Sequence, residues 1–277
     1  MYSRSLDALP TVPSITTVIA QAPSDMSGWA GHMAATTLAR DPALAQAAAD
    51  PAKLRGLAKE ASQAADRYRN AAAERGDRVH AYAEQVSLRA LGRPHRLAEA
   101  REELRSRGEE AFAARFDEWW QLYGVQPLAP EITVWNHEVG YAGTLDLVAK
   151  IGGRLCLIDF KTKGTDRNGQ VKAMDEKVVM QLVAGMKAEE SLLDAAAGSW
   201  EPWAYGGDPV LLGVAIGETE VRPMQANPEV LRFHWYKFCA LRRVWETRLR
   251  ANEAGRALLP IRPPAVRPEA AGAAALD

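Results

Sequence analysis

Two aspartates and a lysine in the stretch GTLDLVAKIGGRLCLIDFKTK, residues 143–163, have the types and spacing for phosphoryl chemistry. Alternating apolar runs flank Gly152-Gly153, a pair suited to the positive φ angles of a tight hairpin turn. If these glycines are the loop, facing residues have numbers that sum to 305, so Val148 faces Leu157 and Asp146 faces Asp159. Directly opposed positions hold their Cβ atoms about 4.5–5.5 Å apart. Two carboxylates so placed would repel one another unless a divalent cation sat between them. Carboxylate oxygens are the hard ligands that Mg²⁺ or Mn²⁺ prefers. Lys161, two residues beyond Asp159, emerges on the same strand face. A cation held here can lower the pKa of a water, and the ammonium can stabilise the attacking hydroxide or the pentavalent phosphate. A solvated surface hairpin is the plainer reading of a bare D-x-K. The facing aspartate and the glycine register make the combination specific.

These residues need elements to position them. EITVW, GTLDLVAK and RLCLIDFKT read as three strands between Gly124 and Thr162, with Glu131 at the start of the first. KVVMQLVAGMKAEESLL then reads as helix, PVLLGVAIG as a buried strand, and PEVLRFHWYKFCALRRVWETRL as a long amphipathic helix. Upstream, Ile15–Ile19 reads as extended. Ala-rich helical composition runs from Ser27 to Asp50 and from Pro51 to Ala73, with Pro51 suited to a first helical turn. Gly76 interrupts this pattern, and Val79, Ala83, Val86 and Ala90 then share one helical face. One further helix is expected over Leu97–Tyr123, where Phe112, Phe116, Trp119, Trp120 and Tyr123 form a stripe best read as core packing. The order implies an α/β fold with a mixed central β-sheet flanked by helices and a helical N-terminal segment. Residues 1–75 are expected to be an N-terminal extension with helices packing on a core of residues 76–259, and residues 260–277 a Pro/Ala-rich disordered tail.

Composition restricts the classes. The chain has 277 residues and a formal net charge of −1, so any grip on nucleic acid must come from local basic residues. Lys163, Arg167, Lys172 and Lys177 could line a phosphate groove, or a solvated loop. No apolar run approaches the ~18 residues of a membrane span, no secretory signal is visible, and a cytoplasmic location is expected. With two cysteines, Cys156 and Cys239, an iron–sulfur cluster is not expected. His137-Glu138 does not continue to a zinc-protease pattern, because Tyr141 stands at the second histidine position.

GTLDLV followed by IDFKT resembles the nuclease motif of the PD-(D/E)XK superfamily, in its RecB-like exonuclease branch, over roughly residues 76–190. PSITTVI with Trp29 nearby resembles phage-encoded members. The resemblance implies a restriction-endonuclease-like core and a Mg²⁺- or Mn²⁺-dependent deoxyribonuclease. Asp146 and Asp159 would ligate metal, the Phe160 carbonyl would complete the shell, and Lys161 would be catalytic. The G-x-x-x-H-x-x-x-E context of the branch fits Gly76 to Glu84, which implies metal ligation by His80 with Glu84 in support. By its residue type alone His80 reads as a capped or partly buried helix histidine.

The branch also carries a glutamine after the lysine strand, followed four residues later by tyrosine. Gln181 fills the first position and Gly185 the second, and Leu145 replaces the proline of the superfamily's name. Gln181 could bond the scissile phosphate or Lys161, or be an exposed polar residue. Glu131 could add an acidic ligand, or be a strand-edge glutamate. The implied partners are DNA and a recombination single-strand annealing or helicase protein, in a host cytoplasm if phage-encoded. A structure-specific endonuclease and a non-catalytic DNA-binding protein remain the alternatives.

Overall fold

The structure, a computed structural model, describes residues 1–262, so the expected tail lies from 263 onward outside the described residues. Gly152 and Gly153 take φ of 57° and 77°, and they close the hairpin between β2 (Tyr141–Ile151) and β3 (Arg154–Thr162). The long β1 (Gln126–Asn136) pairs antiparallel with β2 along its whole length. After α8 (Lys177–Met186) come β4 (Glu190–Asp194) and β5 (Ser199–Pro202), then β6 (Val210–Ile216) and β7 (Val221–Gln225). The sheet order is β5-β4-β1-β2-β3-β6-β7. β3 and β6 run parallel and the other pairs antiparallel, so the chain is an α/β protein with a mixed sheet flanked by helices.

The upstream helices are α1 (Ile15–Ile19), α2 (Ser27–Ala39), α3 (Leu44–Ala47), α4 (Pro51–Ser62), α5 (Ala64–Ala90), α6 (Leu97–Ser106) and α7 (Glu110–Leu122), and α9 (Leu231–Ala254) ends the described fold. Each face of the sheet is covered by different helices. Val79, Tyr82, Ala83 and Val86 of α5 and the aromatic stripe of α7 pack on Leu147, Ala149, Ile158 and Phe160. Val178, Leu182 and Val183 of α8 pack on Val148, Leu157 and Leu211 of the opposite face.

Several expectations change. The extended reading of Ile15–Ile19 gives way to α1, because Ser14 caps a helical turn by accepting the Thr17 N–H at 2.9 Å. Ile15 then sits directly on β2, where a Cβ at Gly143 would come 2.5 Å from its Cδ1. The boundary at 75/76 falls inside α5, a single helix through Gly76. A mid-helix glycine costs about 1 kcal/mol, and the buried face beyond it outweighs that. The single helix over Leu97–Tyr123 is two, broken where Gly108 adopts φ 68°. Helix after β3 stops at Met186, and ESLL enters β4, whose Ser191 pairs with Val134. β1 begins five residues before Glu131, which lies inside the strand. No helix among the described residues is long and apolar enough to cross a membrane.

Candidate metal centre

The hairpin register of 305 holds from Ile151–Arg154 to Leu147–Ile158 and then ends. Beyond that point β2 stays with β1, and β3 follows β6 as far as Thr162. Asp146 and Asp159 are therefore not a ladder pair, as the register had suggested. They stand at the mouth of a fork between two diverging strands. The divergence would leave the Phe160 N–H without a strand partner on that side. The Asp146 side chain accepts it through Oδ2 at 2.6 Å. Phe160 thus reaches the site through its amide.

The other Asp146 oxygen, Oδ1, lies 3.4 Å from His80 Nδ1. His80 comes from α5, and its ring packs edge-on against Phe160. Arg78, two residues earlier, clasps Glu109 through two hydrogen bonds of 2.7 Å and so ties α5 to the start of α7. Glu131 arrives from the other side. Pro130 faces Leu147 and Ile132 faces Leu145, which places Glu131 opposite Asp146. His80, Glu131 and Asp146 each offer one ligand atom, and these atoms lie within 4.8 Å of one another. Glu131 takes φ 45°, the one positive φ outside glycine among the described residues. Such a conformation costs about 1–3 kcal/mol and persists only where its surroundings impose it.

Asp159 and Lys161 point to the α8 face of the sheet, beside this group. Lys161 Nζ lies 2.6 Å from Asp159 Oδ2 and donates to Gln181 Oε1 at 3.1 Å. The Asp159 approach has ion-pair distance but not hydrogen-bond alignment, so this buried oxygen keeps no hydrogen-bond partner. The site's groups titrate away from their ordinary ranges. Burial pushes the Asp159 carboxyl up, with the Lys161 charge opposing it. Burial, followed by the charge of Asp146, pushes Glu131 up to about 7. The Glu131 residue is solvent-exposed overall, but its carboxylate is crowded by protein and by other carboxylates. For His80 burial lowers the pKa, and the hydrogen bond and charge of Asp146 together more than reverse it.

The fold thus gathers His80, Glu131 and Asp146, with Asp159, Lys161 and Gln181 adjoining. Glu84 behaves differently from the expectation that it would support His80. Its carboxylate accepts from Gln85 at 3.4 Å, and His80 takes Asp146 as its partner. Thr16 was missed altogether. It lines a cavity with Lys161 and Gln181, and the cap signal at Ser14 could have located its helix. Gly185 has a spatial reason, since a Cβ there would overlap the Leu145 side chain. Leu145, at the motif's proline position, fills the room that a larger residue at 185 would need.

No family model and no curated protein matches the chain. Among solved structures, the crystal structure of SSO0001 is similar at 11% identity and a TM-score of 0.26, over 52% of this chain and 64% of that one. The chain therefore spans just under two thirds of that neighbour.

Proposed function

We propose that the chain is a divalent-metal-dependent DNA nuclease with a restriction-endonuclease-like core, hydrolysing phosphodiester bonds. The carrying observation is the convergence of His80, Glu131 and Asp146 on one point, with the Asp159–Lys161 pair beside it. One imidazole nitrogen with carboxylate oxygens is a donor set that Mn²⁺ and Mg²⁺ accept. The mutual repulsion of Asp146 and Glu131, and the burial of Asp159 with the Lys161 ammonium beside it, fit residues that a cation would help neutralise. His80, Glu131, Asp146, Asp159 and the Phe160 carbonyl would hold it. When bound, the cation supplies Lewis acidity to a phosphate oxygen and makes a water acidic enough to attack.

The protein's own groups do the rest. Lys161 is held by Gln181 and Asp159 with its ammonium at the fork, where it can neutralise charge that develops on a phosphate. Asp146 fixes the fork through the Phe160 amide while keeping Oδ1 for the site. The test is loss of linear duplex and single-stranded DNA with Mg²⁺, Mn²⁺ or EDTA, beside Asp159→Ala and Lys161→Ala. Metal-dependent degradation abolished by both substitutions supports the reading. A folded protein that binds DNA but leaves it intact would make it a non-catalytic binder. Loss of linear but not circular DNA would mark an exonuclease.

A further inference from the structure

On the α8 side of the sheet a cavity of about 300 Å³ opens one strand away from the reactive pair. Its floor is Gly213 and Ala215 of β6, which the parallel ladder sets beside Asp159 and Lys161 respectively. Neighbouring strands lie about 4.8 Å apart, so the floor is immediately next to the site. Met174, Met224, Val178 and Leu182 give the cavity a mostly apolar wall, with the charged Asp175, Glu176 and Arg222 also lining it. Thioethers pack favourably against aromatic rings, and methionine adapts to rings of different outline. Asn227 also lines the cavity with an amide that has both donor and acceptor, its Oδ1 accepting the Glu229 N–H at 3.0 Å. This combination suits a flat heteroaromatic ring with polar edges.

A second cavity of about 200 Å³ adjoins the first, sharing Asp175 and Val178 with it. Lys161, Lys163 and Lys177 line it, and among the described residues only Lys161 of the three is ion-paired. Asp175 is the acidic exception, and its carboxylate accepts the Lys177 backbone N–H at 2.8 Å. A cationic cavity that touches Lys161 and opens beside an apolar slot has the chemistry of one nucleotide, phosphate on one side and base on the other.

We propose that these joined cavities hold one nucleotide of the DNA strand, its phosphate on Lys163 and Lys177 and its base against Met174 and Met224. A base can enter such a slot only after leaving its stack and its pairing partner. The site therefore takes single-stranded or locally unpaired DNA. This rests on the nuclease reading and adds the substrate's strandedness to it.

The test uses a single-stranded oligonucleotide carrying one 2-aminopurine, in EDTA so that nothing is cleaved, with wild type, Met224→Trp and Gln225→Ala. Both substituted positions are exposed on β7, and Met224 is 56% accessible. On binding to wild type, 2-aminopurine brightens as it leaves its stacked neighbours. Met224→Trp fills the slot and weakens binding about tenfold, the order expected for losing one base contact, with the brightening lost. Gln225→Ala, whose side chain lies on the other face of β7 beside Leu212, leaves affinity and brightening as in wild type. Equal affinity and equal brightening in all three overturn the proposal, and if wild type still degrades DNA with Mn²⁺ the nuclease reading stands without it. A wild type that neither binds nor degrades DNA overturns both.

Discussion

Asp146 accepts the Phe160 N–H at 2.6 Å at the point where the ladder between their two strands has ended. One carboxylate oxygen thus takes the place of a strand partner while the other faces His80. The fork between the two strands is bridged by the residue proposed as a metal ligand. Asp146→Ala leaves a buried amide without its acceptor and should cost about 1–3 kcal/mol in urea unfolding. Asp146→Asn keeps an acceptor oxygen and should unfold near wild type in EDTA, yet bind Mn²⁺ far more weakly by titration calorimetry. Undiminished Mn²⁺ affinity in the asparagine variant would remove Asp146 from the ligand set.

On the proposed nuclease reading, Lys161 faces the phosphate and Gln181 aims it. Lys161→Ala should lower the cleavage rate by about 10²–10³-fold, the usual loss when one group facing developing charge is removed. Gln181→Ala leaves the ammonium in place but loosens its aim, and about a tenfold loss is expected. A larger loss from Gln181→Ala than from Lys161→Ala would reverse these roles.

The site makes the metal-free protein sensitive to alkali. Asp159 and Glu131 both have folded pKa values above their ordinary range, Glu131 at about 7. Between the ordinary carboxylate range and about pH 7 the native state therefore binds more protons than the unfolded chain, and stability falls as pH rises. His80, also raised, favours its charged form in the fold and adds a loss in the same direction as pH rises through its folded value. In EDTA, thermal unfolding should occur at lower temperature near pH 8 than near pH 5.5. Saturating Mn²⁺ needs the deprotonated groups and should reverse the slope. A flat profile in both conditions would contradict this assignment of the Asp159 and Glu131 carboxyls.

Leu145 and Gly185 share one space. Gly185→Ala should destabilise by about 1–3 kcal/mol, because its Cβ meets the packed Leu145 side chain. Leu145→Ala alone should cost about 2–5 kcal/mol through the cavity it leaves. The double variant should be less destabilised than the sum, by a coupling of about 0.5–3 kcal/mol in a double-mutant cycle. Simple additivity would show that the two positions do not compete.

Local pattern carried much of this. Alternation about Gly152-Gly153 determined the hairpin and its register through Leu147–Ile158, since side chains on a strand change face at every residue. The i, i+3/i+4 spacing determined the buried face of α5 at Val79, Ala83 and Val86 and of α7 at Phe112, Phe116 and Trp119. Ala90 and Tyr123, expected on the same faces, are exposed. The short strands were not legible. β4, β5 and β7 have five residues or fewer, too few for a period to declare itself beside helical composition.

By itself the sequence determined which residues are candidates for chemistry and that Asp159 and Lys161 share a strand face, because both follow from residue type and a two-residue period. The tertiary structure alone decided how those residues meet. β3 leaves β2 to follow β6, so the aspartates flank a fork instead of facing across a ladder. β1 begins early enough to bring Glu131 opposite Asp146. α5 runs through Gly76 and delivers His80 to the same point. Each of these depends on which strand neighbours which and on which helix covers which face. Such choices are settled by the burial of residues far apart in the chain, and no local spacing records them.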